Sequence, residues 1–350
     1  MKKILLVLTG GTICTTVNQN GVRAIHSQAA TVLQQGFMES DSVFRNEVTF
    51  DVSKNFGMLS ENLSLARWNE WLQYFRSISF GKGYDGIIIA HGTDTLAYSA
   101  AMCSLLFAGL NLPVFLVSSG LPLSYEGANG HINFRTAVEC ICKDLPPQVY
   151  VPYRNQNGKL YLHLAARLQQ CQNYSDDFYS RGAFDITKGI SAKTKKALKE
   201  LPGIQTLNPM GDWQFQNGVL ALQPYPGLDY SALNLQGVKA IVHGTYHSGT
   251  ACVQGKEYNS CSILYLMDRC EQSKIPLYLS PTKAGGEVYE TVPTMVNHSP
   301  NGVTLLHGCT FEMVYVKVVL ALALGMNQTQ TKAFLTQNSV GEFFIQGEES

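Results

Sequence analysis

The sequence predicts an α/β protein with two parallel-sheet α/β domains, a larger N-terminal one and a smaller C-terminal one. Short buried strands alternate with helical segments along the whole chain, and several strands end abruptly in Gly, Thr or His. The length of 350 residues also suits two domains of ordinary size. We place the N-terminal domain at residues 1–190, a linker at 191–214 and the C-terminal domain at 215–350.

The balance of charges excludes several classes of function. Lys plus Arg and Asp plus Glu each number 26, and only 15% of residues are charged, so no basic face for nucleic acid is expected. The Lys-rich stretch 193–199 is interpreted as a solvated part of the linker. No apolar run approaches the ~18 residues that cross a bilayer, and the N-terminal apolar run is too short for a secretion leader. We therefore expect a cytoplasmic protein that binds neither nucleic acid nor membrane.

Cysteine and histidine spacing predicts no metal and no cofactor. The nine cysteines are scattered, and Cys140 and Cys142 lack the two-residue spacing of zinc ligands, so free thiols are expected. His243 and His247 are four residues apart but lie in a predicted loop, which favours hydrogen bonding over metal binding. A dinucleotide is excluded because the glycine pair Gly10-Gly11 lacks the spaced third glycine of such loops.

The first strand ends in the most informative stretch of the chain. The apolar run Leu5–Leu8 is followed by Thr9, the glycine pair and Thr12. Without Cβ atoms, the glycines let the backbone approach a ligand closely. Thr12 then presents a hydroxyl beyond the carboxyl end of a strand, where open α/β sheets bind ligands.

A second stretch repeats this pattern. The apolar run Ile87–Ala90 is followed by His91–Thr95, and a helix is predicted over Leu96–Ala108. This strand end adds the hydroxyl of Thr93 and the carboxylate of Asp94. His91 is expected to hold backbone, although an acid–base role at a strand end stays open.

The remaining strands and helices are predicted from the spacing of apolar residues and from residues that favour turns or helix caps. Asn20-Gly21 predicts a hairpin flap within 15–25, and Ser64 predicts the start of a helix. Further strands are predicted at 48–52, 113–117, 148–152, 238–242, 276–280 and 303–306, and further helices at 258–270 and 311–324, with another ending at Cys142.

Taken together, the two strand ends resemble the two motifs of the bacterial asparaginase/glutaminase family, in particular its cytoplasmic, type I-like L-asparaginases. Thr9–Ile13 matches the first motif and His91–Thr95 the second. The resemblance continues along the chain at Ser60–Leu63, Ala128–Gly130, Asn133, Pro224–Gly227 and Phe311–Lys317.

The resemblance implies an amidohydrolase that needs no cofactor, acts on a small-molecule amide and assembles as a homodimer or homotetramer. It implies that Thr12, Thr93 and Asp94 are catalytic. Ser60 would hold a substrate carboxylate, and Asp94 and Glu61 would bind an α-amino group, which suits a carboxylate. The substrate-binding set that it implies is Gly11, Ser60, Glu61, Gly92 and Asp94.

The sequence departs from the family where the threonines are activated. A threonine hydroxyl needs a base within about 3 Å to attack an amide. The family has a flap Tyr and a later Lys for this purpose, but the flap here contains no Tyr, and no Lys lies between Lys159 and Lys188. Gln169 or Gln170 stands in the Lys position, and Lys159 is the nearest replacement. The family's Arg after the fourth buried strand is also missing, with Leu121 near its place.

Two functions therefore stay open. The first is hydrolysis of L-asparagine to L-aspartate and ammonia by a threonine nucleophile. The second is a catalytically weakened relative that binds an amino acid or small amide. Cys14, two residues after Thr12, is a minor alternative nucleophile.

Overall fold

A computed structural model describes residues 1–17, 20–21, 23–25, 28–78, 83–201, 211–254, 259–283, 287–299 and 302–344. These residues form two compact units. Unit 1 comprises Met1–Gly211 with Ser339–Gly341, and unit 2 comprises Asp212–Asn338 with the segment that begins at Glu342. Each unit has its own largely parallel sheet and its own helices, which confirms the predicted α/β class. No helix within the described ranges combines the length and apolar character that a bilayer crossing requires.

Unit 1 is built around a seven-stranded sheet. Five neighbouring strands run parallel and reach one edge of the sheet, and two further strands extend the other edge in antiparallel fashion. The strands of unit 1 are β1 (Lys2–Gly10), β2 (Thr15–Val17), β3 (Arg23–Ile25), β4 (Val48–Met58), β5 (Gly86–Ala90), β6 (Val114–Val117), β7 (Val149–Arg154), β8 (Leu160–Leu164), β9 (Leu168–Gln169), β10 (Tyr179–Ser180) and β11 (Phe184–Asp185).

The strand order of this sheet is β11-β8-β7-β6-β5-β1-β4. From β1 the chain crosses to β4 on one side, and it then returns to the other side of β1 for β5, β6 and β7. The order therefore reverses between β1 and β5, and in open α/β sheets such a reversal leaves a crevice at the carboxyl ends of the strands. Beside the sheet, β2 and β3 pair antiparallel, which confirms the hairpin predicted from Asn20-Gly21.

The helices of unit 1 follow from their apolar patterns. In α2 the side chain of Ser64 caps the first turn by accepting from the Arg67 N–H at 3.4 Å, as predicted. Every residue of α3 except Tyr98 is buried, and its small Ala and Ser residues let it pack closely on the sheet. The helices are α1 (Ala29–Met38), α2 (Leu65–Ser77), α3 (Leu96–Leu106), α4 (Gly130–Cys142) and α5 (Ala192–Lys199).

The structure differs from the sequence prediction in the segment assigned to a linker, 191–214. Its first part forms α5, which Ser191 caps by accepting from the Thr194 N–H at 3.0 Å. Leu198 of this helix is 2% exposed and belongs to the apolar core of unit 1. The Lys-rich stretch is therefore the solvated face of a packed helix, and unit 1 extends beyond residue 190 to Gly211. Residues 202–210 lie outside the described part of the chain.

Unit 2 contains a four-stranded parallel sheet in the order β12-β13-β14-β15. Its helix α6 begins at Ile263, after Ser262 caps it, rather than near residue 258; Tyr258 itself lies outside the described residues. The elements of unit 2 are β12 (Val219–Leu222), β13 (Ala240–His243), α6 (Ile263–Ser273), β14 (Leu277–Thr282), α7 (Thr291–His298), β15 (Val303–His307), α8 (Phe311–Ala323) and α9 (Gln328–Thr336).

A buried ion pair lies against α8. The Lys317 ammonium donates to the Glu342 carboxylate at 2.6 Å and to the Gln337 carbonyl at 2.8 Å, and neither charged side chain is exposed. The ring of Phe334 lies 4.6 Å from the same ammonium. Losing one partner of such a pair leaves a buried charge uncompensated, so the pair fixes the segment after α9 onto α8.

Candidate active site

The carboxyl ends of β1 and β5 lie side by side where the strand order of unit 1 reverses. The two strands are neighbours, and the Thr9 hydroxyl at the end of β1 donates to the Ala90 carbonyl of β5 at 2.8 Å. The loops that follow carry Thr12 and Thr93, both half-buried. The topology thus brings the two predicted threonine loops to one edge of one sheet.

The glycine pair makes this approach possible. Gly10 and Gly11 have φ of 124° and 78°, a region that favours glycine. A Cβ on Gly10 would lie 1.8 Å from the Met58 carbonyl oxygen, and a Cβ on Gly11 would lie 2.0 Å from Gly92 Cα. We expected the two glycines to let the backbone approach a ligand. In the structure, the space that a Cβ would take at each glycine is occupied by the protein's own backbone.

Thr12 begins a short 3₁₀ helix, Thr12–Cys14, whose geometry its neighbours fix. The Thr15 hydroxyl donates to the Thr12 carbonyl at 2.9 Å, and the Cys14 N–H donates to the Gly11 carbonyl at 2.8 Å. The Cys14 thiol is buried, and burial raises its pKa to about 12. The side chain is 0% exposed, so a substrate does not reach the sulfur in this structure, which favours Thr12 over Cys14.

Ser60 connects the loop after β4 to the loop after β5. It is buried in a 3₁₀ helix, Ser60–Asn62, and its hydroxyl donates to the Asp94 carboxylate at 3.1 Å. The Thr95 hydroxyl donates to the Ser60 carbonyl at 3.0 Å, a contact that the sequence did not predict. Gly92 lies directly against Ser60, since a Cβ there would be 2.3 Å from the Ser60 hydroxyl oxygen.

Two carboxylates of this site have no cationic partner among the described residues. Glu61 and Asp94 are both exposed, and among the described residues neither forms a salt bridge. The N–H groups of Gly92 and Thr93 also have no acceptor within that part of the chain. The strand ends thus present open acceptors and open backbone donors together, which suits a ligand with an ammonium and an oxygen.

The structure distinguishes the two glutamines. The Gln170 side-chain N–H donates to the Thr93 carbonyl at 3.0 Å, and its oxygen accepts from the Ala97 N–H of α3 at 3.4 Å. Gln169 is exposed and pairs with Tyr179 in the two-residue ladder of β9 and β10. Of the two, it is therefore Gln170 that lies beside Thr93, and its carboxamide offers no base at neutral pH.

Lys159 lies in the turn between β7 and β8 of unit 1. Its ammonium pairs with Asp185 at 3.3 Å, and more than half of the side chain is exposed. The ammonium thus has a carboxylate partner in this structure, and the interpretation of Lys159 as a replacement for the family's Lys stays a prediction.

The contacts of His243 favour the predicted hydrogen bonding over metal binding. Both ring nitrogens of His243 are occupied, one toward the Gly244 carbonyl at 2.5 Å and the other by the Tyr230 hydroxyl at 2.9 Å. Within the described ranges, no group of three or more His, Cys, Asp or Glu side chains is arranged to hold a metal.

Comparisons with known proteins agree with this architecture. Residues 3–197 match a family model described as "Asparaginase, N-terminal". An L-asparaginase of Thermococcus kodakarensis is 25% identical over 350 residues, covering 97% of this chain and 98% of that protein. A component of the glutamyl-tRNA(Gln) amidotransferase of Saccharolobus islandicus is 25% identical over 349 residues, covering 97% of this chain and 76% of that protein.

Solved structures show the same fold. The thermostable L-asparaginase of Thermococcus kodakarensis superposes with a TM-score of 0.72 at 22% identity, covering 98% of this chain and 99% of that one. L-asparaginase I of Vibrio cholerae superposes with a TM-score of 0.70 at 20% identity and the same coverage. At these identities the likeness concerns the fold.

Proposed function

The chain belongs to the asparaginase family, and from this premise we propose that it hydrolyses the side-chain amide of L-asparagine, or of a related small amide, with Thr12 as the nucleophile. One observation carries the proposal: two hydroxyl-bearing strand ends meet where the strand order reverses. The backbones of Gly11 and Gly92 are in contact there. Thr12 and Thr93 are the residues that come next in the two loops. Open α/β sheets bind their ligands in such crevices.

In the proposed reaction, the Thr12 hydroxyl oxygen bonds to the amide carbon, and the C–N bond breaks as the nitrogen takes up a proton and leaves as ammonia. Water then attacks the threonyl ester, whose C–O bond breaks to release the carboxylate and restore the hydroxyl. The open N–H groups of Gly92 and Thr93 support this reaction as donors to the oxyanion.

Substrate binding is proposed to use the carboxylates of Asp94 and Glu61. Asp94 and Glu61 would hold the α-ammonium by charge-assisted hydrogen bonds. Ser60 would face the substrate carboxylate, with its hydroxyl turning away from Asp94 when the ligand arrives. Asparagine and glutamine both carry an α-ammonium and a carboxylate. Because one relative is named as part of an amidotransferase, the substrates to be tested include glutamine as well as asparagine.

The test is ammonia release from a panel of small amides. We expect release from asparagine or glutamine by the wild type and a loss of at least about 10³-fold in Thr12→Ala, because nucleophile removal costs the most in acyl transfer. Thr49→Ala, at an exposed position of β4, serves as the matched control and should keep full activity. Equal rates in Thr12→Ala and Thr49→Ala would show that Thr12 is not the nucleophile.

A second function is favoured by one observation, the carboxamide of Gln170 beside Thr93. Without a base at that place, and without a Tyr in the flap, the chain would bind an amino acid and turn it over slowly. Loss of a general base costs about 10²–10⁴-fold. Calorimetric binding of aspartate together with no detectable ammonia release from the panel would select this second function.

The proposal extends to assembly and location. We expect a cytoplasmic homodimer or homotetramer that works without a cofactor, as the family resemblance implies. Light scattering of the purified protein tests the assembly, and undiminished turnover after dialysis against a chelator tests the independence from metal.

A further inference from the structure

His91 lies directly after β5 and takes no part in the proposed reaction so far. Its side chain is 1% exposed, and its Nδ1 lies 2.6 Å from the Gly92 carbonyl oxygen. The ring packs edge-on against Trp71, with the ring centroids 5.5 Å apart. Its second nitrogen, Nε2, is buried and has no hydrogen-bond partner among the described residues.

These contacts fix the protonation of the ring. A carbonyl oxygen only accepts hydrogen bonds, so Nδ1 must carry the proton and Nε2 the lone pair. Burial lowers the pKa of His91 to about 4, although the hydrogen bond to Gly92 and the charge of Asp94 act to raise it. The imidazole is therefore neutral at pH 7 and serves as a donor toward Gly92.

The bond acts on the peptide unit that joins Gly92 to Thr93. In a planar trans peptide, the C=O of one residue and the N–H of the next belong to one rigid unit and point in opposite directions. Holding the Gly92 oxygen therefore aims the Thr93 N–H. A hydrogen bond to the oxygen also polarises the unit and strengthens the N–H as a donor.

We propose that His91 is a positioning residue, which fixes the Gly92–Thr93 peptide plane so that the Thr93 N–H donates to the developing oxyanion. This inference rests on the proposed function, because the oxyanion exists only if the amide is attacked. The Thr93 N–H suits the role because no acceptor within the described part of the chain occupies it.

Unit 2 contains a natural control for this inference. His243 also follows the pattern of a buried ring at the end of a parallel strand, and its Nδ1 lies 2.5 Å from the carbonyl oxygen of Gly244. Its Nε2, however, accepts from the Tyr230 hydroxyl. The same local contact is thus present in a unit that holds neither of the two proposed catalytic threonines.

The experiment compares three variants by steady-state kinetics and thermal denaturation. His91→Phe keeps a ring against Trp71 but removes the donor, so we expect kcat to fall about 10-fold to 10²-fold with KM within about threefold. His91→Asn keeps an N–H near the position of Nδ1 and should restore most of the loss. His243→Phe should keep kcat within about twofold. An unchanged kcat in folded His91→Phe, or no rescue by His91→Asn, would overturn the inference.

Nitrogen NMR separates this inference from the proposed function. In the wild type we expect His91 to remain the neutral Nδ1–H form from pH 5 to 9 and the Thr93 amide proton to shift in His91→Phe. A His91 ring that titrates near pH 6.5, an Nε2–H form, or an unmoved Thr93 resonance refutes the positioning role even if the protein is inactive. A wild type that releases no ammonia, with those resonances as expected, refutes the amidohydrolase proposal instead.

Discussion

The sequence His-Gly-Thr occurs at the end of a parallel strand in both units, yet the surroundings of the two copies differ. In unit 1, Gly92 touches the backbone of Gly11 and the side chain of Ser60, whose hydroxyl donates to the Asp94 carboxylate. In unit 2, the place beside Gly244 is filled by the carboxamide of Gln223. The hydroxyl of Thr245, which matches Thr93, donates to the Pro281 carbonyl.

The difference has a topological cause. The sheet of unit 1 reverses its order between β1 and β5, whereas the sheet of unit 2 follows chain order from β12 to β15 without a reversal. Loops that leave neighbouring strands in opposite directions open a crevice, and loops that leave in one direction cover it. The same tripeptide ends a strand in both units, but among the described strands the reversal occurs in unit 1, so we expect the ligand crevice there.

The comparison is sharpest at the two glycines. In Gly92→Ala the new Cβ would meet the Ser60 hydroxyl at 2.3 Å and the Gly11 Cα at 2.8 Å, so backbone must move. Overpacking of this kind costs about 1–3 kcal/mol, and a displacement near 1 Å at a site can cost about 10² in rate. In Gly244→Ala the first atom met is the oxygen of the flexible Gln223 side chain, at 2.0 Å, which can turn away.

We therefore expect Gly92→Ala to lose at least about 10²-fold in ammonia release and to unfold at lower urea concentration. Gly244→Ala should keep its rate and lose less than about 1 kcal/mol. Urea denaturation and the ammonia assay check both variants. Equal losses of rate and stability in the two variants would mean that the backbone around Gly92 is packed no more closely than the backbone around Gly244.

The two glutamines allow the proton path to be rebuilt. Gln170→Lys places an amine beside Thr93, and if a missing base limits the rate, turnover of asparagine should rise, by about 10²-fold at most. Gln169→Lys adds the same charge one residue away on the exposed ladder and should change nothing. Turnover that falls in Gln170→Lys but not in Gln169→Lys would indicate a working network that the new cation disturbs.

The sequence predicted the strand ends well, because an apolar run of four residues and the Gly and Thr residues that follow it are local signals. It could not separate Gln169 from Gln170, since the two residues are identical neighbours, and only the end of β9 at Gln169 and its pairing with Tyr179 distinguish them. Nor could it predict the buried pair of Lys317 and Glu342, whose members lie 25 residues apart. The helix α5 was missed because Leu198 is its single fully buried residue, so no period is visible.

Acid should lower the stability of both units for the same reason, the protonation of buried histidines. The pKa of His91 and that of His243 are lowered to about 4, and that of His163 to about 3, in each case chiefly by burial. An unfolded His has a pKa near 6.5, so between that value and about 4 the unfolded chain binds more protons. This stability is present above pH 6.5 and is lost as the pH falls toward 4.

From these values each histidine is expected to contribute a loss of about 2 kcal/mol in unfolding free energy between pH 7 and pH 5. Urea denaturation at both pH values checks this for the wild type, His91→Asn and His243→Asn. Each variant should lose part of the pH dependence, and by similar amounts, since the two rings share burial and contact. A pH dependence that only one of the two variants reduces would contradict the equivalence of the two strand ends.

The smallest expected effect concerns the charge of Asp94. Asp94→Asn keeps the shape of the side chain and an acceptor for the Ser60 hydroxyl, but it removes the charge that we assign to the substrate ammonium. Because Asp94 is exposed, water screens the interaction, and we expect a loss of about tenfold in affinity for aspartate rather than the larger loss of a buried pair.

Calorimetric titration measures this affinity with aspartate and with succinate, which lacks the amino group. Succinate should bind the wild type and Asp94→Asn with similar affinity. If both ligands weaken equally, Asp94 acts on the carboxylate side or on the loop, and its assignment to the ammonium is wrong.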